Sequence, residues 1–256
     1  MTRQRVAVLV LSGLVIVAVM APVLSTTAPD ALDLSNRRAA PSAAHWFGTD
    51  ELGRDVLSRA LFGARVSLAV GLLSAAVAGA IGVTIGAASG FFGGRIDAVL
   101  MRLTDAVLSM PRLLLLMVAA AILSPPLALL VVLVGLVGWM ETARVTRAAF
   151  LASREREFVL AARALGASPW RLVTAHLLPL AAPAIAVSTT LAVGRGILLE
   201  STLSFFGVGV QPPAASWGNM LYQAQSTMTT EPWLAFFPGA CIFVTAVAIN
   251  VVGEKD

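Results

Sequence analysis

The sequence predicts an all-α polytopic bundle of about six membrane-spanning helices with both termini on the inside. Three observations carry this. Hydrophobic residues make up 58% of the 256 and charged residues 12%, at a mean hydropathy of +0.86. Soluble domains carry about 25% charge, so the polar surface is about half of what water requires. The apolar residues fall into runs long enough to cross a bilayer, which takes roughly 20 residues of helix. The cations fall between the runs and favour one side. An ordinary cytosolic enzyme, a disordered chain and a nucleic-acid-binding domain are all excluded. The pI near 10.5 accompanies a net charge of only +4, and membrane orientation accounts for it. The single Cys241 excludes a disulfide framework and a Cys-based metal cluster.

Lipid offers backbone groups no partners, so each run is expected to be a helix. The first is Val6 to Leu24, preceded by Arg3 and Arg5. It is longer than the 7–15 residues of a signal-peptide core, and a retained anchor is expected. The second is Val66 to Gly90. Gly71, Ala75 and Gly79, then Gly82, Gly86 and Gly90, recur every fourth residue along it, a spacing that lets helices approach closely in lipid. The third lies within Leu103 to Leu123, with an entry from Ile96. Met110-Pro111 falls inside it, and the proline is expected to kink it. The fourth is Leu127 to Ala143, the fifth Ala181 to Gly207, the sixth Leu234 to Val252. With the N-terminus inside, the inside segments hold Arg3, Arg5, Arg95, Arg102, Arg144, Arg147, Arg154, Arg156, Arg163, Arg171 and Lys255. Those eleven face five outside, Arg37, Arg38, Arg54, Arg59 and Arg65, which supports the orientation.

Between the fourth and fifth runs lies the only sizeable polar loop on the inside, from Arg154 to Pro179. Its first part forms a helix that Gly166 can end in a left-handed cap. Ser168 suits an N-cap and Pro169 a first helical position, opening a second helix to about Leu178. Pro179 and Pro183 mark the entry to the fifth span. Two short helices at an angle make a docking surface for a soluble partner, or an amphipathic element lying on anionic lipid.

On the outside, Asp50 is placed to cap a helix starting near Glu51, with Asp55 and Arg59 able to pair at i and i+4. This reads as a helix on the outer surface touching another protein, or as an elbow before the second span. Charges within spans mark functional sites by default. Asp105, Arg112, Arg195 and Glu200 qualify, and with Met110 and Pro111 they are the pathway candidates. Arg195 and Glu200, five apart, can pair with each other or with another subunit; helix pairing and snorkelling are the structural alternatives. Trp46, Trp139, Trp217 and Trp233 suit an interfacial belt. His45 and His176 are lone histidines, and no metal site is expected.

The inside loop resembles the EAA loop of ATP-binding-cassette importer permeases: Glu-Ala-Ala, three residues, Gly, nine residues, Ile, any residue, Leu-Pro. Ala161, Ala162, Gly166, Leu178 and Pro179 stand at that spacing, with Leu160 in place of the Glu and His176 in place of the Ile. The dipeptide, oligopeptide and nickel branch is resembled along residues 45 to 253. His45 to Arg59 is similar to its phrase H-x-F-G-T-D-x-L-G-R-D-x-x-S-R, continued by Gly63, Arg65 and Ser67 to Gly71. Asp105 to Pro111, then Trp139, Ala143, Arg144 and Arg147, match its third span and the lead into the loop. Gln211-Pro212-Pro213, Ser216-Trp217-Gly218-Asn219-Met220, Pro232-Trp233 and Phe237-Pro238-Gly239 match its last outside loop. Where the branch continues with Gly-Asp-x-Leu-Arg-Asp, this sequence reads Gly253-Glu254-Lys255-Asp256.

The resemblance implies a type I importer permease fold in the bacterial plasma (inner) membrane. It implies a homologous second permease subunit, two ATP-binding cassette domains and an extracytoplasmic substrate-binding protein as partners, and no nucleic acid. ATP and Mg would sit on the ATPase subunits and no cofactor on this chain, which has no G-x-x-x-x-G-K-[ST] and whose one Lys is Lys255. It is therefore read as a non-enzyme. Residues 1–44 form a transmembrane anchor and the start of the outside loop; residues 45–256 form the permease domain, with a coupling loop at about 154–180. Glu157, Ala161, Ala162, Arg163, Gly166, Ala167, Ser168, Pro169, Arg171, Leu178 and Pro179 are expected to seat in the ATPase. Asp50, Arg54, Asp55, Trp217 and Asn219 are expected as outside-surface contacts. Di- or oligopeptides are the expected substrates, nickel or another small solute the alternative. A stand-alone secondary transporter needs no docking loop and favours internal repeats. An intramembrane protease needs a His in the spans, and none lies there. A membrane scaffold fits the composition but not the joint set of phrases.

Overall fold

The computed structural model describes residues 2–254; Met1, Asp256 and Lys255, one of the counted inside cations, lie outside the described residues. Helix α1 is Thr2–Val19 and α2 Ala21–Leu24. The expected first run is thus interrupted at Met20. Pro22 lacks an N–H and crowds the carbonyl four residues back, which stops one ladder and starts another. Helix α3 is Val56–Phe92, 37 residues, so it begins ten residues before the expected span. Helices α4 (Gly94–Leu108) and α5 (Arg112–Leu123) meet at 76°, at the expected kink. Helices α6 (Leu127–Leu136) and α7 (Trp139–Ser153) meet at 44°. The fourth run is therefore broken at Val137-Gly138 and extends ten residues beyond Ala143.

After α8 (Glu157–Ala164), α9 is Pro169–Arg171. A wide π turn over Leu172–Leu177 leads directly into α10, Leu178–Phe205. The expected stop before the fifth span is absent: Pro169–Phe205 is one helix of 37 residues. The wide turn shifts the bonding register just where Pro179 has no N–H to give. Helix α11 is Trp217–Ala224 and α12 Trp233–Gly253. Among the described residues, three helices are long and apolar enough to span a membrane, or five if each bent pair counts once. With each bent pair counted once, these five correspond to the second to sixth expected runs, and α1 with α2 corresponds to the first.

Helix α3 is the axis of the bundle, and its two glycine ladders face different partners. A Cβ at Gly82 would fall 2.6 Å from the Trp139 carbonyl oxygen, and one at Gly90 2.6 Å from the Phe150 Cβ, both on α7. One at Gly71 would fall on Ile197 of α10, and one at Gly79 3.0 Å from Thr189 Cγ2. Gly196 of α10 returns the contact, its Cβ position 3.3 Å from the Gly71 Cα. Small residues thus let both helices press on α3 backbone to backbone. Of the four tryptophans read as an interfacial belt, Trp139 and Trp217 are core residues instead. The Gln4 side chain donates to the Glu254 carbonyl at 2.7 Å, so the start of α1 and the end of α12 lie together. They do so on the face opposite the Asp50 segment, since Ser25, just beyond α2, bonds Ser58 at 3.0 Å.

Candidate functional site

The segment before α3 folds into a polar knot. Asp50 does not cap a helix. Its carboxylate accepts from the backbone N–H of Leu52 (2.9 Å) and Arg54 (3.0 Å) and from the Arg54 Nε (2.6 Å). Gly53 closes this turn at φ +74°, in the left-handed region where glycine carries no strain. The helix cap falls to Asp55, which accepts from the Ser58 N–H at 2.8 Å and meets His45 Nδ1 at 2.9 Å. Asp55 and Arg59 therefore do not pair. Arg59 turns to Asp50 (3.7 Å), to the Pro29 carbonyl (3.2 Å) and to Gln223 (3.3 Å), which Arg54 also reaches at 3.0 Å. In the flanking loop, hydrogen bonds from Ser35 and Asn36 hold the Asp33 carboxyl below the usual carboxylate range.

The five residues expected as outside-surface contacts are all internal. Asp50 is 7% exposed, Arg54 6%, Asp55 4%, Trp217 0% and Asn219 3%. Their polar atoms are spent on the chain itself, which is why they cannot face a partner. The Trp217 indole donates to the Ala60 carbonyl at 3.1 Å, and Asn219 closes a capping box with Ser216. Trp46 is the large apolar side chain that this segment leaves exposed.

The pathway candidates separate into three environments. Glu200 does not meet Arg195. It is fully buried, accepting from Ser67 (3.0 Å), Ser201 (3.4 Å) and Ser204 (2.7 Å), and so joins α10 to α3. Ser67 in turn accepts from the Trp217 N–H at 3.3 Å, which brings α11 into the same network. Asp105 lies exposed on α4 and bonds Arg144. Met110 and Pro111 are exposed at the 76° bend. Arg112 and Arg195 line one cavity of about 230 Å³ between α3, α5, α6 and α10.

Sequence reading missed an ion-pair ladder along α7. Arg147 holds Asp97 with two guanidinium nitrogens, Nε at 2.6 Å and Nη2 at 2.7 Å. Arg144 holds Asp105, and Glu141 holds Arg112. The 141, 144, 147 spacing on one helix was the available signal, since residues three apart share a face. Its partners lie on α4 and at the start of α5, and only the fold brings them alongside.

The loop between α7 and α10 is exposed on one side and anchored on the other. Gly166 adopts φ +83°. The Gly166 N–H reaches the Arg163 carbonyl and the Ala167 N–H the Ala162 carbonyl, each at 3.0 Å, which is a Schellman closure. The Ser168 side chain accepts from the Arg171 N–H at 3.3 Å, with Pro169 in the first turn. Val159, Leu172 and Leu177 are buried against Phe150 and Ala181, with Ala162, Ala167 and Leu178 packed beside them. Glu157, Ala161, Arg163, Gly166, Ser168, Pro169, Arg171 and Pro179 face outward. Leu165, at 90%, and Trp170, at 77%, are exposed as well.

Whole and broken apolar helices, a mostly apolar cavity among them that two arginines enter and one braced, outward-facing loop fit a membrane transport component. Residues 82–254 match the family described as binding-protein-dependent transport system inner membrane component. The chain belongs to that family and is an inner-membrane protein. It is 40% identical over 241 residues to a protein of Escherichia coli (strain K12) named probable D,D-dipeptide transport system permease protein, covering 94% of this chain and 81% of that one. It is 40% identical over 246 residues to the dipeptide transport system permease protein of Bacillus subtilis (strain 168), covering 96% and 77%. With the oligopeptide transport system permease protein of the same organism it shares 37% over 260 residues, covering 99% and 85%.

Proposed function

We propose that the chain is a permease subunit of an ATP-driven importer that carries di- or oligopeptides. The observation that carries the energy-coupling part is the loop from Glu157 to Pro179. Its inner side is fixed to α7 and α10, so it cannot swing independently. Its outer side presents Leu165, Trp170, Arg163 and Arg171 to solvent. Such a surface suits an apolar groove with an acidic rim on an ATP-binding cassette domain. ATP and Mg belong to two such domains, and this chain performs no catalysis. A homologous second permease subunit completes the channel, and an extracytoplasmic binding protein delivers the peptide. The loop face, with both described chain ends, is then the cytoplasmic side. Peptides are favoured because the relatives are named for dipeptides and oligopeptides.

Of the pathway candidates, Arg112 and Arg195 are retained, with Met110 and Pro111 as the hinge beside them. Asp105 is assigned to the ion-pair ladder and Glu200 to the buried brace. A tagged pull-down from native membranes in mild detergent tests the assembly. A second permease, a P-loop ATPase and a binding protein are expected to co-purify. Recovery of this chain alone, where a reference importer stays intact, overturns the reading.

A further inference from the structure

We infer that the Arg112–Arg195 cavity is a subsite for the terminal carboxylate of the translocated peptide, an inference that rests on the peptide reading above. The cavity exists because its walls are small: Ser74, Ala75 and Ala78 of α3 face Ala192 and Gly196 of α10. At about 230 Å³ it is smaller than the ~300–1,000 Å³ pockets that hold drug-sized ligands, so it admits one end of a peptide. Two guanidiniums reach it and one carboxylate stands near. That carboxylate, Glu141, bonds Arg112. Arg195 has no such partner: its Nη2 is buried with no hydrogen-bond acceptor among the described residues. The lining hydroxyls bring no negative charge and donate to their own helices, Ser74 to the Gly71 carbonyl at 3.1 Å and Thr202 to the Leu198 carbonyl at 2.7 Å. Glu200, one turn on, is held by serines.

The cavity therefore carries one positive charge in excess within apolar surroundings, where an uncompensated guanidinium is unfavourable. A carboxylate corrects both faults at once, since its two oxygens match the two-pronged edge of a guanidinium. The other carboxylate oxygen of Glu141, Oε2, is also buried without a donor among the described residues. The hinge at Pro111 lies next to Arg112, so movement of α5 changes the distance between the two guanidiniums.

The test uses the complete transporter in proteoliposomes with ATP and its binding protein. Wild-type uptake of radiolabelled dialanine checks the peptide reading separately; its absence overturns that reading and the subsite with it. Two photoreactive dipeptides then locate the carboxylate, alanyl-p-benzoylphenylalanine and p-benzoylphenylalanyl-alanine. The first carries its probe on the C-terminal residue and is expected to label the α5 and α10 walls of the cavity. The second is expected to label elsewhere. Arg195→Gln is expected to lower labelling by the first at least fivefold and Arg195→Lys to retain most of it. The subsite is wrong if both probes label the same residues or if Arg195→Gln leaves labelling unchanged. Loss of the second permease from the Arg195→Gln complex also overturns it, since Arg195 would then be an inter-subunit ion pair.

Discussion

Removing the Glu200 carboxylate strands the hydroxyls of Ser67 and Ser204 inside the bundle. A buried donor left without an acceptor costs about 1–3 kcal/mol. Glu200→Ala is therefore expected to lower the thermal unfolding midpoint of the detergent-solubilised protein, and Glu200→Gln to lower it less, since the amide oxygen still accepts. An unchanged midpoint for Glu200→Ala would show that the network contributes nothing. Gly86→Val acts by the opposite route. Its Cβ would land on the Ala143 carbonyl oxygen, and overpacking of this kind costs about 1–3 kcal/mol. The same melt is expected to show a loss, while Gly13→Val, with nothing within 4 Å of its Cβ position, is expected to be neutral. These two sites differ in how far the sequence discloses them. The glycine ladders are legible because helical periodicity alone aligns residues four apart. Glu200 reads as a pathway charge because Ser67 arrives from another helix and its depth is invisible in one dimension.

Three arginine–carboxylate pairs join α7 to α4 and the start of α5. Reversing one rung, Arg147→Asp, is expected to weaken α4 docking, and adding Asp97→Arg to restore part of it. A double-mutant cycle on thermal unfolding is expected to give a coupling of about 0.2–1 kcal/mol, the range of solvent-screened pairs. A coupling of zero would reduce the rung to a chance encounter of surface charges. The element boundaries were legible where a residue has a local reason to stop or start a helix: Pro111 at the first bend, Gly166 and Ser168 in the loop. They were not legible at Val137-Gly138 or at the start of α3. The bend at Val137-Gly138 has no proline. The start of α3 depends on Asp50 being consumed by its own turn, which moves the cap to Asp55.

The whole molecule was legible as a membrane bundle because composition and run length suffice for that. The polar knot before α3 was not, because a Gly-, Asp- and Arg-rich segment reads equally well as exposed or as folded on itself. If the loop is the energy input, Gly166→Arg is expected to abolish ATP-driven uptake while the complex still assembles. No atom lies within 4 Å of a Cβ there, so the added side chain obstructs a docking partner rather than the fold, beyond the local strain of a non-glycine residue at positive φ. Full uptake with full assembly would exclude the docking role. A complementary expectation follows from the unbroken run from Pro169 to Phe205. At 1.5 Å per residue, that helix is about 55 Å long, with Trp170 near one end, Arg195 in its far half and Glu200 close to the other end. It is a lever seated in the bundle. A tilt of about ten degrees around its midpoint moves each tip by about 5 Å over that length, so a push on Trp170 is felt as an opposite stroke at the Glu200 end. The wide turn at Leu172–Leu177 and Pro183, which withdraws an N–H from the ladder, are where such a beam can flex. Their stiffness sets how much of the stroke is delivered and how much is absorbed.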